Sequence, residues 1–134
     1  MSETNKLEDN ELWQLAFKVT NEAYKKLDEF PDDEKWLAIS RLRQHAGGLT
    51  DEIAMGVGSL DPREIQYYLG HARKELFAIK ATYKVGHSSK QIDIDPDQMV
   101  LIDSLAAKID ERLATIPEEL KTYFASLDAP EKKA

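Results

Sequence analysis

The chain contains no cysteine, which excludes disulfides, thiol chemistry and cysteine-ligated zinc. No apolar run approaches the roughly 20 residues needed to cross a bilayer, so no membrane segment is expected. The first residues, Met1-Ser2-Glu3-Thr4-Asn5-Lys6, form no apolar signal region, and a cytoplasmic protein is the simplest reading. Several chemical signatures are also missing. There is no Gly-x-x-x-x-Gly-Lys phosphate loop, no His-Glu-x-x-His metal helix and no Gly-x-Ser-x-Gly nucleophile elbow. Leu42, Tyr68 and Lys84 stand three residues before His45, His71 and His87, so the Glu-x-x-His pairs of di-metal bundles are absent too. Neither a catalytic residue nor a metal or cofactor ligand is expected, and the expectation is a non-enzymatic protein.

What remains is 134 residues, one domain with one core. The net charge of −7 argues against a general nucleic-acid coat, but that charge is uneven. Residues 1–34 hold ten acids and four bases, net −6; residues 35–90 hold five acids and nine bases, net +4. Residues 91–134 hold ten acids and five bases, net −5. All three histidines lie in the basic middle. Either this is a set of solvated helix faces, or it is a basic hairpin that meets an anion or an acidic partner.

The apolar periodicity is helical throughout. A polar, frayed segment over 1–8 precedes a first helix from about Asp9 to Glu29, capped by Asp9 or Asn10. Trp13, Phe17, Thr20, Tyr24 and Leu27 form one stripe; Leu12, Leu15, Val19 and Ala23 form a second beside it. Together they cover more than half the circumference, wider than a monomeric bundle helix needs. Leu12, Leu15 and Val19 are therefore candidate oligomer contacts. Phe30-Pro31 ends this helix, and Asp32, Asp33 and Glu34 place acids at the start of the next.

The second helix carries Ile39, Leu42, Ala46, Leu49 and Ile53, a heptad seam. That seam runs unbroken across Gly47-Gly48, which favours a continuous helix whose glycines let a neighbour come close over a break capped by Thr50. Gly56 and Gly58 stop it. Asp61-Pro62-Arg63-Glu64 starts the third helix with an N-cap, a proline at the first helical position and a capping box. Its seam is Ile65, Leu69, Ala72, Leu76, Ile79 and Tyr83, with Gly86 as the expected stop. Gln91-Ile92-Asp93-Ile94 alternates like a strand but has no partner, so it is an extended connector. Asp95-Pro96 opens a fourth helix with Ile102, Leu105, Ala106, Ile109, Leu113 and Ile116; Pro117 breaks or kinks it, and 118–127 make a short last helix. The charged tail, 128–134, is expected to be disordered. The predicted fold is all-α, an up-and-down antiparallel four-helix bundle over residues 9–127.

Within the hairpin of residues 32–86, Arg41, Arg43, Arg63, Arg73 and Lys74 are candidate contacts to nucleic acid or an acidic partner. Tyr67 and Tyr68 lie among them and could stack on bases. The competing reading buries Tyr68, leaves Tyr67 partly exposed and pairs the arginines with Asp51, Glu52 or Glu75.

The hairpin also carries an ordered set of family features. Phe30-Pro31 and Glu34 lead into the second helix. That helix ends in Glu52-Ile53-Ala54-Met55-Gly56, and Ser59, Glu64-Ile65, Ala72 and Glu75-Leu76 follow. In this it resembles the four-helix-bundle proteins encoded in intervening sequences of bacterial 23S ribosomal RNA genes, and their relatives, the accessory proteins of diversity-generating retroelements. The family writes Asn-Ile-Ala-Glu-Gly where this chain has Glu52 to Gly56, and paired arginines where it has Arg43-Gln44. The match covers roughly residues 12–86. It implies a bundle that forms a ring-like homo-oligomer, commonly a pentamer. The leading expectation is thus a homo-oligomeric scaffold or interaction protein, and the alternative is a binder of RNA or DNA through the basic hairpin.

Overall fold

The computed structural model describes residues 6–32 and 35–128. A short 3-10 turn at Leu7–Asp9 leads into helix α1, Glu11–Lys26. Helix α2 spans Ser40–Gly58 and is entered through a π-helical turn, Lys35–Ile39. Helix α3 spans Pro62–Ser88, α4 spans Pro96–Ala114 and α5 spans Ile116–Asp128. The expected tail beyond Asp128, the first five residues and the acids at 33–34 lie outside the described residues.

The helices form a four-sided, all-α bundle in which α1 touches α2 and α4, and α3 touches α2 and α4. Ion pairs give the direction of packing. Arg73 meets Asp110 and Lys80 meets Asp103, so seven residues up α3 correspond to seven residues down α4. Likewise Glu11 meets Lys108 and Glu22 meets Gln98 across α1 and α4. Both pairs of helices are antiparallel. The heptad seams of α2 and α3 are buried along their whole length, and Ile102, Leu105, Ile109 and Ile116 close the core from the fourth side.

Helix α1 buries only part of each expected stripe and adds Ala16. Its core edge is Ala16, Val19, Thr20, Ala23 and Leu27, whereas Phe17 and Tyr24 are about half exposed. Two alanines let α1 approach closely, and the buried Thr20 hydroxyl is satisfied by Thr50 at 2.7 Å and the Ala46 carbonyl at 3.4 Å.

The glycines act differently from one another. Helix α2 continues through Gly47-Gly48. A Cβ at Gly48 would overlap the Glu75 carboxylate, whereas one at Gly47 would meet nothing. Gly86 does not stop α3, which continues to Ser88. It is buried because Ile92 and Phe30 pack where its Cβ would be, at 3.0 and 3.2 Å. The turn is made instead at Lys90, with φ 64°.

The caps also differ from expectation. Asp61 accepts from the Arg63 backbone N–H at 2.9 Å, and the reciprocal capping box forms at Asp95 and Gln98. Pro117 falls in the first turn of α5, where a proline is tolerated, and the chain changes helix at Thr115. The connector after α3 is not extended where it begins: residues 89–92 turn, with the Gln91 and Ile92 N–H groups donating to the Gly86 carbonyl and Ile92 buried, and no strand occurs among the described residues.

Candidate interaction surface

The five cationic candidates of the hairpin do not form one patch. Arg63 sits at the start of α3, where its Nη2 lies 2.7 Å from Asp61 Oδ2 and 3.1 Å from the Tyr123 hydroxyl, with the guanidinium over the Tyr123 ring. The Arg63 hydrogen bond holds the Asp61 carboxyl below the usual carboxylate range. Arg73 makes a two-pronged contact to Asp110, at 2.6 and 3.3 Å, and lies over Phe77. That hydrogen bond raises the already high guanidinium pKa. Both arginines therefore serve the seams of α3 with α5 and α4.

Arg41, Arg43 and Lys74 are exposed and hold no carboxylate among the described residues. Arg41 lies on the edge of α2 beside α3, with Ala81 and Val85. Arg43 is seven residues from Thr50, so it shares the edge of α2 that faces α1. None of the five pairs with Asp51, Glu52 or Glu75.

Glu75 instead meets His45. The Nδ1–Oε1 distance is 2.6 Å, and both side chains are partly exposed. Gly48 makes the room for that carboxylate. One turn further along α2, an oxygen of Glu52 is buried with no hydrogen-bond partner. Tyr67 stands outward, edge-on to Tyr68 at 5.2 Å and tilted against His71 at 4.5 Å. The three histidines do not converge: His71 and His87 are sixteen residues apart on one helix, roughly 24 Å. Among the described residues, no three His, Cys, Asp or Glu side chains are placed to hold a metal ion.

The oligomer candidates divide. Val19 is 1 % exposed and belongs to the core of its own bundle, so it is not available to a second subunit. Leu12 and Leu15 are half-buried against that core. The exposed side of α1 is carried by Phe17 and Tyr24, seven residues apart on one face, with Trp13 against Phe17 at 6.0 Å.

Two features escaped the sequence reading. One is a groove of about 400 Å³ between the start of α2 and the end of α3, floored by Phe30 and Gly86 and walled by Leu37, Arg41, Ala81 and Val85. Its residues are 37–41 and 81–86, and nothing in a linear pattern joins those segments. The other is the buried Lys26, whose Nζ donates to Glu29 at 2.9 Å and to the Asp93 carbonyl. Glu29 accepts in turn from the Asp93 N–H, which pins the connector to α1. A lysine followed by an acid at i+3 was the available signal.

No described helix is long and apolar enough to cross a membrane. Comparison with protein families, with curated proteins and with solved structures finds no match.

Proposed function

We propose that this chain is a non-enzymatic, cytoplasmic scaffold or interaction protein that works as a homo-oligomer; the family resemblance implies a pentameric ring. The observation that supports this reading is the arrangement of its exposed apolar side chains. Single exposed apolar residues are ordinary. Among the described residues, six of the eleven large exposed ones come in pairs: Phe17 with Tyr24 on α1, Leu37 with Val85 across the groove, and Phe124 with Leu127 on α5. Paired apolar edges on several sides of a small bundle suit contact with further copies. Sedimentation velocity of the full chain over a wide concentration range tests it. An assembly of defined mass supports the reading, five copies support the ring, and a monomer at every concentration removes both.

The second reading is binding of RNA or DNA by the hairpin. It is favoured by Arg41, Arg43 and Lys74, whose charges no described carboxylate neutralises. Such binding weakens steeply with salt and weakens again in Arg43→Glu. Absence of binding to single- and double-stranded probes at low salt eliminates it.

A further inference from the structure

The groove and helix α5 are complementary surfaces at opposite ends of the molecule. The groove presents Leu37 and Val85 at its rim, with Val85 68 % exposed, over an apolar floor of Phe30 and Gly86. Arg41 in its wall and Lys84, one residue before Val85, hold no carboxylate among the described residues. Helix α5 presents the converse. Leu120, Phe124 and Leu127 are spaced four and three residues apart, a single helical edge. Leu120 is turned partly inward, while Phe124 and Leu127 remain 44 % and 58 % exposed. Asp128 follows Phe124 by four residues on the same edge and pairs with no cation among the described residues, whereas Glu119 is held by Arg112 of its own chain at 2.7 Å. An apolar edge that ends in the Asp128 carboxylate thus faces solvent at one end of the bundle, and a groove lined by apolar side chains with Arg41, Thr82, Ser89 and Gln91 faces solvent at the other.

A chain cannot bring these two together by itself. Tyr123 ties α5 to Arg63 at the first turn of α3, at 3.1 Å. Val85 lies twenty-two residues further along that helix, roughly 33 Å at 1.5 Å per residue. The occupant of the groove must come from another molecule.

We infer that copies of this chain join head to tail, the Phe124–Leu127 edge of α5 in one copy docking in the α2–α3 groove of the next. This rests on the self-association proposed above and names its contact. The two patches are unlike, so the contact is heterologous, and successive copies close into a ring if the rotation between neighbours allows. The docking mode is that of an amphipathic helix in a largely apolar groove, with Asp128 of α5 against Arg41 or Lys84.

The test compares four samples of the full chain by sedimentation velocity: the native protein, Val85→Glu, Leu127→Glu, and an equimolar mixture of the two variants. Both positions are exposed, so both variants keep the helical circular dichroism of the native chain. Each variant alone sediments as a monomer, with self-association weakened about a hundredfold or more. The mixture forms a dimer and nothing larger, because only one intact groove and one intact α5 edge remain per pair. Leu37→Glu and Phe124→Glu repeat the experiment from the neighbouring positions should a first variant lose its fold. Variants that assemble like the native chain overturn this contact and leave self-association standing. A mixture that stays monomeric, or that grows beyond a dimer, also overturns it. A native chain that is monomeric throughout overturns both proposals.

Discussion

Gly48 and Glu75 occupy one place in the α2–α3 interface: the glycine has no side chain where the glutamate carboxylate lies against α2 and meets His45 at 2.6 Å. The three glycines of α2 nearest the core therefore answer differently to a methyl group. Gly47→Ala adds a Cβ in open space and raises stability by about 0.5–1 kcal/mol through helix propensity. Gly48→Ala expels the Glu75 carboxylate, the mobile end of a flexible side chain, so its stability stays within about 1 kcal/mol of native while the His45 contact is lost. Gly56→Ala pushes on Leu69 in the core, 2.9 Å from the new carbon, and destabilises by about 1–3 kcal/mol. Urea unfolding of the three variants checks the ranking, and the His45 ring resonances report the lost contact in the second.

Tyr83 is a buried side chain whose hydroxyl has no hydrogen-bond partner. Tyr83→Phe removes an uncompensated polar atom and leaves stability unchanged or raises it by about 1 kcal/mol. Burial first, and then the charges of Glu22 and Glu29, raise the tyrosine pKa. The unfolded chain therefore loses this proton near the ordinary value of about 10, while the folded chain keeps it. The stability held by the protonated form is complete below that pH and falls as pH rises beyond it. Thermal melts between neutral and strongly alkaline pH show this loss in the native chain, with a smaller slope in Tyr83→Phe.

Lys26 is 4 % exposed and holds both Glu29 and the Asp93 carbonyl. Lys26→Ala leaves these acceptors without their cation and removes a buried stem, and costs about 2–4 kcal/mol. Lys26→Met restores the packing and recovers part of that loss. Chemical denaturation measures both. Amide exchange at Asp93 and Ile94 increases most in either variant, because the clamp fixes the connector to α1.

Acid weakens the bundle at defined contacts. A hydrogen bond from Gln98 lowers the Glu22 pKa, Arg63 lowers that of Asp61, and Arg112, then Thr115, lower that of Glu119. Each depressed carboxyl contributes stability that is complete above its ordinary pKa, about 4. This contribution is lost as pH falls through the lower folded value. Melting temperature therefore declines from about pH 4.5 downward. Glu119→Gln, which removes the charge that ties α5 to Arg112 at 2.7 Å, flattens part of that decline.

Much of the fold could be read from local pattern. The seams Ile39 to Ile53 and Ile65 to Tyr83 are buried as their spacing required, because a repeat of three and four residues puts every member on one face. Asp61 and Asp95 start α3 and α4 because each precedes a proline whose missing N–H is not needed in the first helical turn. Helix α1 was less legible. Apolar identity marked Phe17 and Tyr24 as strongly as Val19, yet burial kept Val19, Thr20, Ala23 and Leu27 from the two stripes and added Ala16 and the aliphatic stem of Lys26. Small residues there set how closely α1 approaches α2, and a close approach turns the flanking aromatics outward.

Period, caps and breakers thus determine how many helices form, where they begin and which face of α2, α3 and α4 is apolar, since these depend on residues within a few positions of one another. Helix packing decided what the surface offers. Arg63 and Arg73 lost their free charge to Tyr123, Asp61 and Asp110, whereas Arg41, Arg43 and Lys74 kept theirs. Residues 37–41 and 81–86 met to form a groove. Such pairings join segments tens of residues apart, and antiparallel packing alone sets which of them face each other.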